Sequence, residues 1–222
     1  MLEWSAAYID HREASRQAEA LIVHTAASIA PTMRVLRDRQ PIDLGGPWLT
    51  TTVREAIIAH CEVDILAADC ATLVQHLPDD ARAAVDNWEA VVRKLYTAFV
   101  QPELTQPTIV YDFPLADREL VRRHSVNEQL ASDFSVVVGG VELAAGNGEL
   151  NDPQERWTRA QPITGTRDQN APSACHEQEL HLLEYGLCPA ASVELHVDRL
   201  LMLLTASETL RDVTPFPVLA SG

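Results

Sequence analysis

The stretch DFSVVVGGVEL at residues 133–143 decides the fold. Two runs of strand-forming residues lie on either side of Gly139 and Gly140. Glycine adopts positive φ angles without steric cost, so a glycine pair between two such runs is typical of a tight turn. The sequence therefore predicts a β-hairpin at this point.

Strand and helix patterns are distributed unevenly around this hairpin. The stretches PTIVYDFP at 107–114 and 191–197 predict further strands. Apolar residues at helical spacing predict helices over 7–29, from Val53, over 79–99, 153–157, 177–184 and 199–204, whereas 34–48 and 164–173 predict loops. Thr52 and Glu55 have the spacing of a capping box. Helices first and strands later favour an α+β fold around an antiparallel sheet over a doubly wound fold.

The composition limits the class of protein. The 222 residues are 46% hydrophobic and 22% charged, which predicts one globular domain. A net charge of −15 makes direct nucleic-acid binding unexpected, because phosphate requires a basic surface. No apolar run is long enough for a membrane span and the N-terminus does not resemble a signal peptide, so we expect a cytoplasmic protein.

Metal and nucleotide motifs are weak or absent. The sequence has no phosphate loop, no dinucleotide-binding fingerprint and no nucleophile elbow. His176-Glu177 with His181 is close to a zinc-protease pattern, but a spacing of five turns the second histidine off the face of the first. A solvated helix face is the favoured interpretation, also for the set Cys175, His176, His181 and Cys188. The four cysteines are too scattered for a zinc or redox motif and predict reduced thiols.

Several short stretches occur in one order along the chain: MLEW at 1–4, PTIVYDFP at 107–114, GGVELAAGNGELND at 139–152, LLEYGLCP at 182–189 and VDRLLMLLTASETLRDV at 197–213 with PFP at 215–217. This order resembles the C-terminal part of a class II lysyl-tRNA synthetase catalytic domain. It is equally similar to the paralogue that attaches lysine to elongation factor P. The resemblance implies one domain over 1–222, with a divergent helical segment at about 34–100.

The resemblance implies a six-stranded antiparallel sheet flanked by helices, here lacking the N-terminal strands of the family. It also implies that ATP, magnesium and an amino acid bind across the sheet. Arg199 matches the family's catalytic, ATP-binding arginine. Glu142 matches the second of two acidic metal and ATP ligands. Glu3 and Glu149 match the two carboxylates that hold the ε-ammonium group of lysine.

Other positions depart from the family pattern. Ser135 stands at the first acidic metal ligand, and Ser5 at a tyrosine that assists lysine binding. Ala145 and Asn147 replace an asparagine that holds the lysine carboxylate and an aromatic residue. Glu194 and His196 stand where the family has glycines, and a side chain there is expected to fill the adenine site.

Structural roles are alternatives for several of these residues. Arg199 and Asp198 could instead form a buried ion pair. His196 beside Glu194 could act as a general base, although residues two apart on a strand share a face for structural reasons alone. Glu142 could be an ordinary strand residue, and Glu3 with Glu149 could be solvated acids.

Two functions remain open from the sequence. The first is an ATP-dependent ligase that activates lysine or a lysine-like amine through Arg199 and Glu142. The alternative is a non-catalytic paralogue that binds a cationic ligand or a partner through Glu3 and Glu149. In either case we expect an amino-acid or amine ligand, and a homodimer or partner chain that covers the truncated sheet.

Overall fold

The computed structural model describes residues 1–30, 32–37, 40–82, 85, 87–115, 120–160 and 181–215. Its strands are β1 (Leu2–Ala7), β2 (Arg34–Arg37), β3 (Gln40–Asp43), β4 (Leu49–Thr52), β5 (Thr108–Tyr111), β6 (Asp133–Val138), β7 (Val141–Gly148) and β8 (Ala190–Leu195). Its α-helices are α1 (His11–Ile29), α2 (Val53–Cys61), α3 (Cys70–Gln75), α4 (Asp79–Arg82), α5 (Trp88–Leu95), α6 (Pro153–Ala160), α7 (Val197–Leu204) and α8 (Leu210–Val213). A π-helical turn (Tyr96–Val100) and a 3-10 turn (Gln101–Glu103) continue α5.

Six of the strands form one mixed sheet in the order β1-β8-β7-β6-β5-β4. Every neighbouring pair is antiparallel except β4 and β5. This pair is parallel because the chain leaves β4 through a helical crossover before it returns as β5. The predicted α+β class is confirmed, and the antiparallel prediction is wrong only for this pair.

The predicted hairpin is formed by β6 and β7. Gly139 and Gly140 occupy its turn with φ angles of 59° and 74°, which are strained for other residues. The register shifts between Val136 and Val137, which marks a β-bulge in the facing strand. Within β7, Leu143 and Ala144 are consecutive, and both are fully buried in the same core. The regular alternation of side chains between the two faces of the sheet is therefore shifted by one residue at this point.

One face of the sheet packs on α1. The side chains of α1 that point to the sheet are fully buried at Ala14, Ala18, Ile22 and Ala26, spaced by four residues as a helix face requires. Asp10 caps this helix by accepting a hydrogen bond from the Glu13 amide. The helix therefore begins at His11 instead of near residue 7, because the preceding residues belong to β1.

The other face is partly covered by the helical segment 53–103. Val110 of β5 packs into a second core with buried residues of α2, α5 and the π-helical turn, among them Ile57, Leu95 and Tyr96. The predicted capping box at the start of α2 is confirmed by reciprocal hydrogen bonds between Thr52 and Glu55. The side chains of this segment therefore cover the sheet face at β5 and exclude solvent from it.

Three sequence predictions on the first half of the chain need correction. The loop predicted over 34–48 is wrong for 34–37 and 40–43, where β2 and β3 pair and bury Val35 and Ile42, whereas 44–48 belong to no helix or strand. For the same reason the divergent segment 34–100 is only partly helical. Residues 79–99 do not form one helix, because Asn87 caps a separate helix that begins at Trp88.

Later predictions are confirmed where the structure describes them. A helix begins at Pro153, and α7 includes the predicted stretch 199–204. Residues 181–184 are helical, whereas 164–173 and 177–180 lie outside the described residues. None of the helices in the described part of the chain has the length and apolar character to cross a membrane.

Candidate functional site

One row of paired residues crosses the whole sheet. Successive partners along it are Thr51, Val110, Ser135, Ala145, Glu194 and Glu3. Residues that pair directly share one face of a sheet. Val110 and Ser135 are buried next to the helical segment, whereas Glu194 and Glu3 are exposed. We call the exposed part of this face, on β1, β8 and β7, the open half, and the part on β4, β5 and β6 the covered half.

A second row of the open half is polar and uncharged. Ser5, Ser192 and Asn147 are successive partners on β1, β8 and β7. Glu149 follows directly after β7, and its Oε1 accepts a hydrogen bond of 2.5 Å from the Ser192 hydroxyl. This bond holds the Glu149 carboxylate close to the second row.

The bulge brings Glu142 into a cluster at the border of the two halves. Ser135 Oγ donates to Glu142 Oε2 at 2.8 Å. Arg199 Nη1 donates to the backbone oxygen of Glu142 at 2.9 Å and lies 3.6 Å from Oε1 of its carboxylate. His196 Nε2 also lies 3.6 Å from Glu142 Oε1. A hydroxyl and two nitrogen-bearing side chains of the same chain thus surround this carboxylate.

Tyr96 lies against the same cluster from the covered side. Its side chain is only 3% exposed, and its hydroxyl lies against the hydroxyl of Ser135. Burial raises the pKa of the Tyr96 hydroxyl, and the nearby negative charge of Glu142 raises this pKa further. The phenol is therefore neutral and offers both a donor and an acceptor.

The residues around Glu142 do not fit a magnesium ion. Magnesium prefers several oxygen ligands, and carboxylates are the usual protein donors. Here Ser135 provides a hydroxyl where the resemblance implies a carboxylate, and it already donates to Glu142. His196 and Arg199 lie against the other oxygen. No described group of three or more His, Cys, Asp or Glu side chains is arranged to hold a metal ion.

The position implied for ATP also carries added side chains. Glu194 stands on β8 and His196 follows that strand directly, where the resemblance implies glycines. Both project beyond the backbone surface on which a nucleotide would lie. The residues at this end of the sheet therefore do not fit ATP in the manner that the resemblance implies.

The two carboxylates assigned to the amine lie at different ends of the open half. Glu3 pairs with Glu194 in the first row. Glu149 lies four residues further along β7 than Ala145, which is in the same row as Glu3. From strand geometry, the Cα atoms of Glu3 and Glu149 are roughly 15 Å apart. Because each glutamate side chain extends several ångströms from its Cα atom, and Glu149 leans back towards Ser192, this register does not exclude a shared ammonium group between them.

The structure also places the remaining candidate residues, which are Asp198, His196, Glu194 and three of the cysteines. Asp198 is exposed, and the acidic partner of Arg199 within the described residues is Glu142, so the predicted buried pair is wrong. His196 contacts Glu142, whereas Glu194 points to solvent. Of the four residues for which a zinc site was considered and not favoured, Cys175 and His176 lie outside the described residues. Cys61, Cys70 and Cys188 are free thiols, and burial raises the pKa of Cys61.

Sequence reasoning did not assign Ser192 and Tyr96 to the site. Ser192 precedes Glu194 by two residues, and the period of a strand places both on one face, so this signal was present in the sequence. Tyr96 appeared only as one apolar position of a helix. Its position against Ser135 depends on tertiary packing that no local pattern encodes.

A class II aminoacyl-tRNA synthetase domain is defined by this six-stranded sheet, by helix α1 packed on one of its faces, and by the residues that match the family motifs. Residues 1–220 match the family described as tRNA synthetases class II (D, K and N), and the chain belongs to this family. The resemblance inferred from the sequence is thereby confirmed.

Within this family the chain is similar to lysine--tRNA ligases. It is 31% identical to the lysine--tRNA ligase of Pelotomaculum thermopropionicum, over 99% of this chain and 45% of that protein. The identity is 32% with the enzyme of Xylella fastidiosa strain M12 and 29% with that of Magnetococcus marinus, each over 98% of this chain and 44% of the relative. The chain thus spans less than half the length of these relatives.

Proposed function

We propose that this chain binds lysine or a lysine-like amine on the open half of its sheet. One observation carries the proposal: the carboxylate of Glu149 is held by Ser192 and shares an accessible sheet face with Glu3. Hydrogen bonds between an ammonium group and a carboxylate are charge-assisted and about twice as strong as neutral ones. Similarity to lysine--tRNA ligases supports lysine as the first ligand to test.

The same proposal holds that the chain on its own does not activate the amine. Formation of an aminoacyl adenylate requires positioned charges around the reacting phosphate and carboxylate. Ser135 and Ala145 provide no such charge, and Glu142 is engaged by residues of the chain itself. In this form the protein is a binding paralogue of the ligases.

A second candidate is ATP-dependent activation of lysine or a lysine-like amine. Arg199 favours it, because this guanidinium lies at the border of the open half, as expected for a residue that contacts ATP. The remaining groups would then come from another chain or another part of a longer protein. A homodimer or a partner chain stays a prediction, and the molecular mass in solution tests it.

Calorimetric titration with lysine tests the first candidate. We expect Glu149→Gln to weaken lysine binding by about tenfold or more, because it removes the charge that faces the ammonium group. Glu103→Gln removes an exposed charge outside the sheet and serves as the matched control. Equal affinities of all three proteins for lysine would refute the proposed site.

Amino-acid-dependent exchange of pyrophosphate into ATP separates the two candidates. We expect no exchange by the purified, folded chain with lysine. If the wild-type chain does catalyse exchange and Arg199→Ala does not, the first candidate is refuted, and activation of the amine is the function.

A further inference from the structure

We infer that His124 is a positioning residue for Glu149 while its imidazole ring is neutral, and that protonation of the ring releases the segment 120–132 from the end of β7. We call this segment the strap. The consequence for amine binding rests on the proposed function. The release of the strap is independent of any ligand, so the two parts can be tested separately.

The strap holds the end of β7 through its backbone. Arg122 N donates a hydrogen bond of 2.8 Å to the backbone oxygen of Gly148. Leu150 N donates one of 2.9 Å to the backbone oxygen of Leu120. These two bonds lie immediately before and after Glu149 in the chain. The strap therefore fixes the backbone on both sides of this residue.

Glu149 itself lies between the strap and β8. Its backbone N–H donates to the oxygen of Ala190 at 2.9 Å on the β8 side. On the other side it faces Val121 of the strap in an antiparallel bridge. If the strap is released, the contact with β8 remains and the opposite side loses its support. The carboxylate then loses its fixed position, and an amine that depends on it binds more weakly.

His124 closes a turn inside the strap. Its Nδ1 accepts hydrogen bonds of 3.2 Å from the backbone N–H groups of Val126 and Asn127. A ring nitrogen that accepts hydrogen bonds carries no hydrogen, so this turn requires neutral imidazole with its hydrogen on Nε2. Protonation places a hydrogen on Nδ1, and both bonds are then lost. The turn is thus stable in one protonation state of the ring.

The groups behind the sheet do not compensate for this loss. Asp112 is buried after β5, and its Oδ1 lies 3.9 Å from Nε2 of His124. Burial raises the pKa of Asp112, the charges of His124 and Arg12 oppose this rise, and Glu55 of α2 adds to it. Nε2 carries a hydrogen in both states of the ring, so Asp112 cannot replace the bonds of Nδ1. Burial lowers the pKa of His11 on α1 to about 4, so this neighbour stays neutral where histidines ordinarily titrate.

His124 also lines a cavity of about 600 Å³ between the strap and the starts of α1 and α6. The charged groups that line it are Asp10, Arg122, Arg123, Glu128, Asp152 and Glu155. Arg123 lies 3.0 Å from Glu155 and 3.6 Å from Glu128. The two aspartates each accept a hydrogen bond from a backbone amide at a helix start. All four acids thus have partners inside the chain, and the pH effect depends chiefly on the two amide bonds of Nδ1.

His124→Asn tests the inference, because an asparagine oxygen accepts the same type of backbone hydrogen bond and does not titrate. Calorimetric titration of the full chain with lysine should show affinity about fivefold lower at about pH 5.5 than at about pH 8. This range lies above the pKa of ordinary carboxylates. The affinity of His124→Asn should change by less than about twofold. The control His76→Asn, at an exposed position, should retain the wild-type pH dependence.

Amide hydrogen exchange without ligand follows the strap directly. Near pH 8, residues 120–132 and 148–150 should exchange equally in the wild type and in His124→Asn. At about pH 5.5 we expect exchange in the wild type to be about fivefold faster than in His124→Asn. Comparison of the two proteins at one pH removes the intrinsic pH dependence of exchange. Equal rates at both pH values would refute the release of the strap.

The two measurements distinguish this inference from the proposed function. If the strap is released as expected but the folded protein binds no lysine at any pH, the proposed function is refuted and the strap mechanism stands. If lysine binds and its affinity has the same pH dependence in the wild type and in His124→Asn, His124 does not position Glu149. His124→Ala, which removes the acceptor at every pH, should bind lysine as weakly at about pH 8 as the wild type does at about pH 5.5. Wild-type affinity of His124→Ala at about pH 8 would also refute the positioning role.

Discussion

The two halves of one sheet face differ although they share strands and a register. On the covered half, every residue of β5 and β6 is buried. On the open half, β1 alternates between exposed and partly buried positions. The difference comes from the helical segment 53–103, which packs on Val110 but leaves Glu194 in solvent. A covered strand face becomes core, and an uncovered one keeps the polar side chains that bind ligands.

The covered half should carry most of the stability. Ile57 of α2 is fully buried in the second core, and its replacement by alanine removes packing contacts and leaves a cavity. We expect Ile57→Ala to lower the free energy of unfolding by about 2–5 kcal/mol. Denaturant titration measures the loss, and amine affinity below the unfolding transition should not change.

The neighbouring Ile58 provides the matched control, because its side chain is 39% exposed. Ile58→Ala should lower the free energy of unfolding much less than Ile57→Ala does. Equal losses for the two variants would contradict the division of the face into a packed half and an open half.

One contribution to the pH dependence of stability should come from outside both halves. His11 lies behind the sheet, where its ring makes an edge contact with Tyr111. Burial, followed by the charge of Arg12, lowers the pKa of His11 from 6.5 to about 4. Below pH 6.5 the unfolded chain takes up a proton that folded His11 does not. The stabilisation is therefore complete above pH 6.5 and is lost as the pH falls towards about 4.

His11→Gln should flatten the unfolding free energy between pH 6.5 and 4, as measured by denaturant titration at several pH values. His76→Gln, at an exposed position, is the control. An unchanged slope in His11→Gln would show that other groups cause the acid sensitivity.

The border between the halves should respond to the loss of a single hydrogen bond. Ser135 is buried and donates to Glu142, so Ser135→Ala leaves one carboxylate oxygen without this donor. We expect a loss of about 1 kcal/mol in the free energy of unfolding. Ser28→Ala removes an exposed hydroxyl of α1 as a control, and a loss equal to that of Ser135→Ala would show that the bond to Glu142 contributes nothing.

The open half should be the least sensitive in stability. Glu194→Gln is expected to change the free energy of unfolding by no more than about 0.5 kcal/mol, with a small gain because it relieves repulsion from Glu3. A double-mutant cycle with Glu3→Gln measures that repulsion directly. A large destabilisation by Glu194→Gln would mean that this carboxylate has a structural partner.

Elements with strong local signals were predictable from the sequence. The glycine turn of the β6–β7 hairpin, the capping box at Thr52 and the apolar face of α1 follow from short-range patterns. β2 and β3 were missed because each has only four residues and includes or adjoins residues typical of loops, such as Pro41 and Gly45. The break before α5 was signalled by Asn87, a favourable N-cap residue that sequence reasoning passed over.

The site was predictable only in part. Family motifs identified Glu3, Glu142, Glu149 and Arg199, but they do not determine which residues become neighbours. The pairing of Ala145 with both Ser135 and Glu194 depends on a register that includes a bulge. Since a shift by one residue turns every side chain to the opposite face, such neighbours follow from the three-dimensional pairing alone.

The bulge at Leu143 and Ala144 makes the site depend on chain length as well as on residue identity. On either side of the bulge, the alternation of side chains between the two sheet faces is shifted by one residue. Glu142 and Ala145 therefore face the same side of the sheet, although they are three positions apart and would face opposite sides in a regular strand. Loss of a single codon here would turn Glu142 towards α1 and Val141 towards solvent. We therefore expect natural variation to preserve the spacing between Glu142 and Ala145 more strictly than the side chains of the open half.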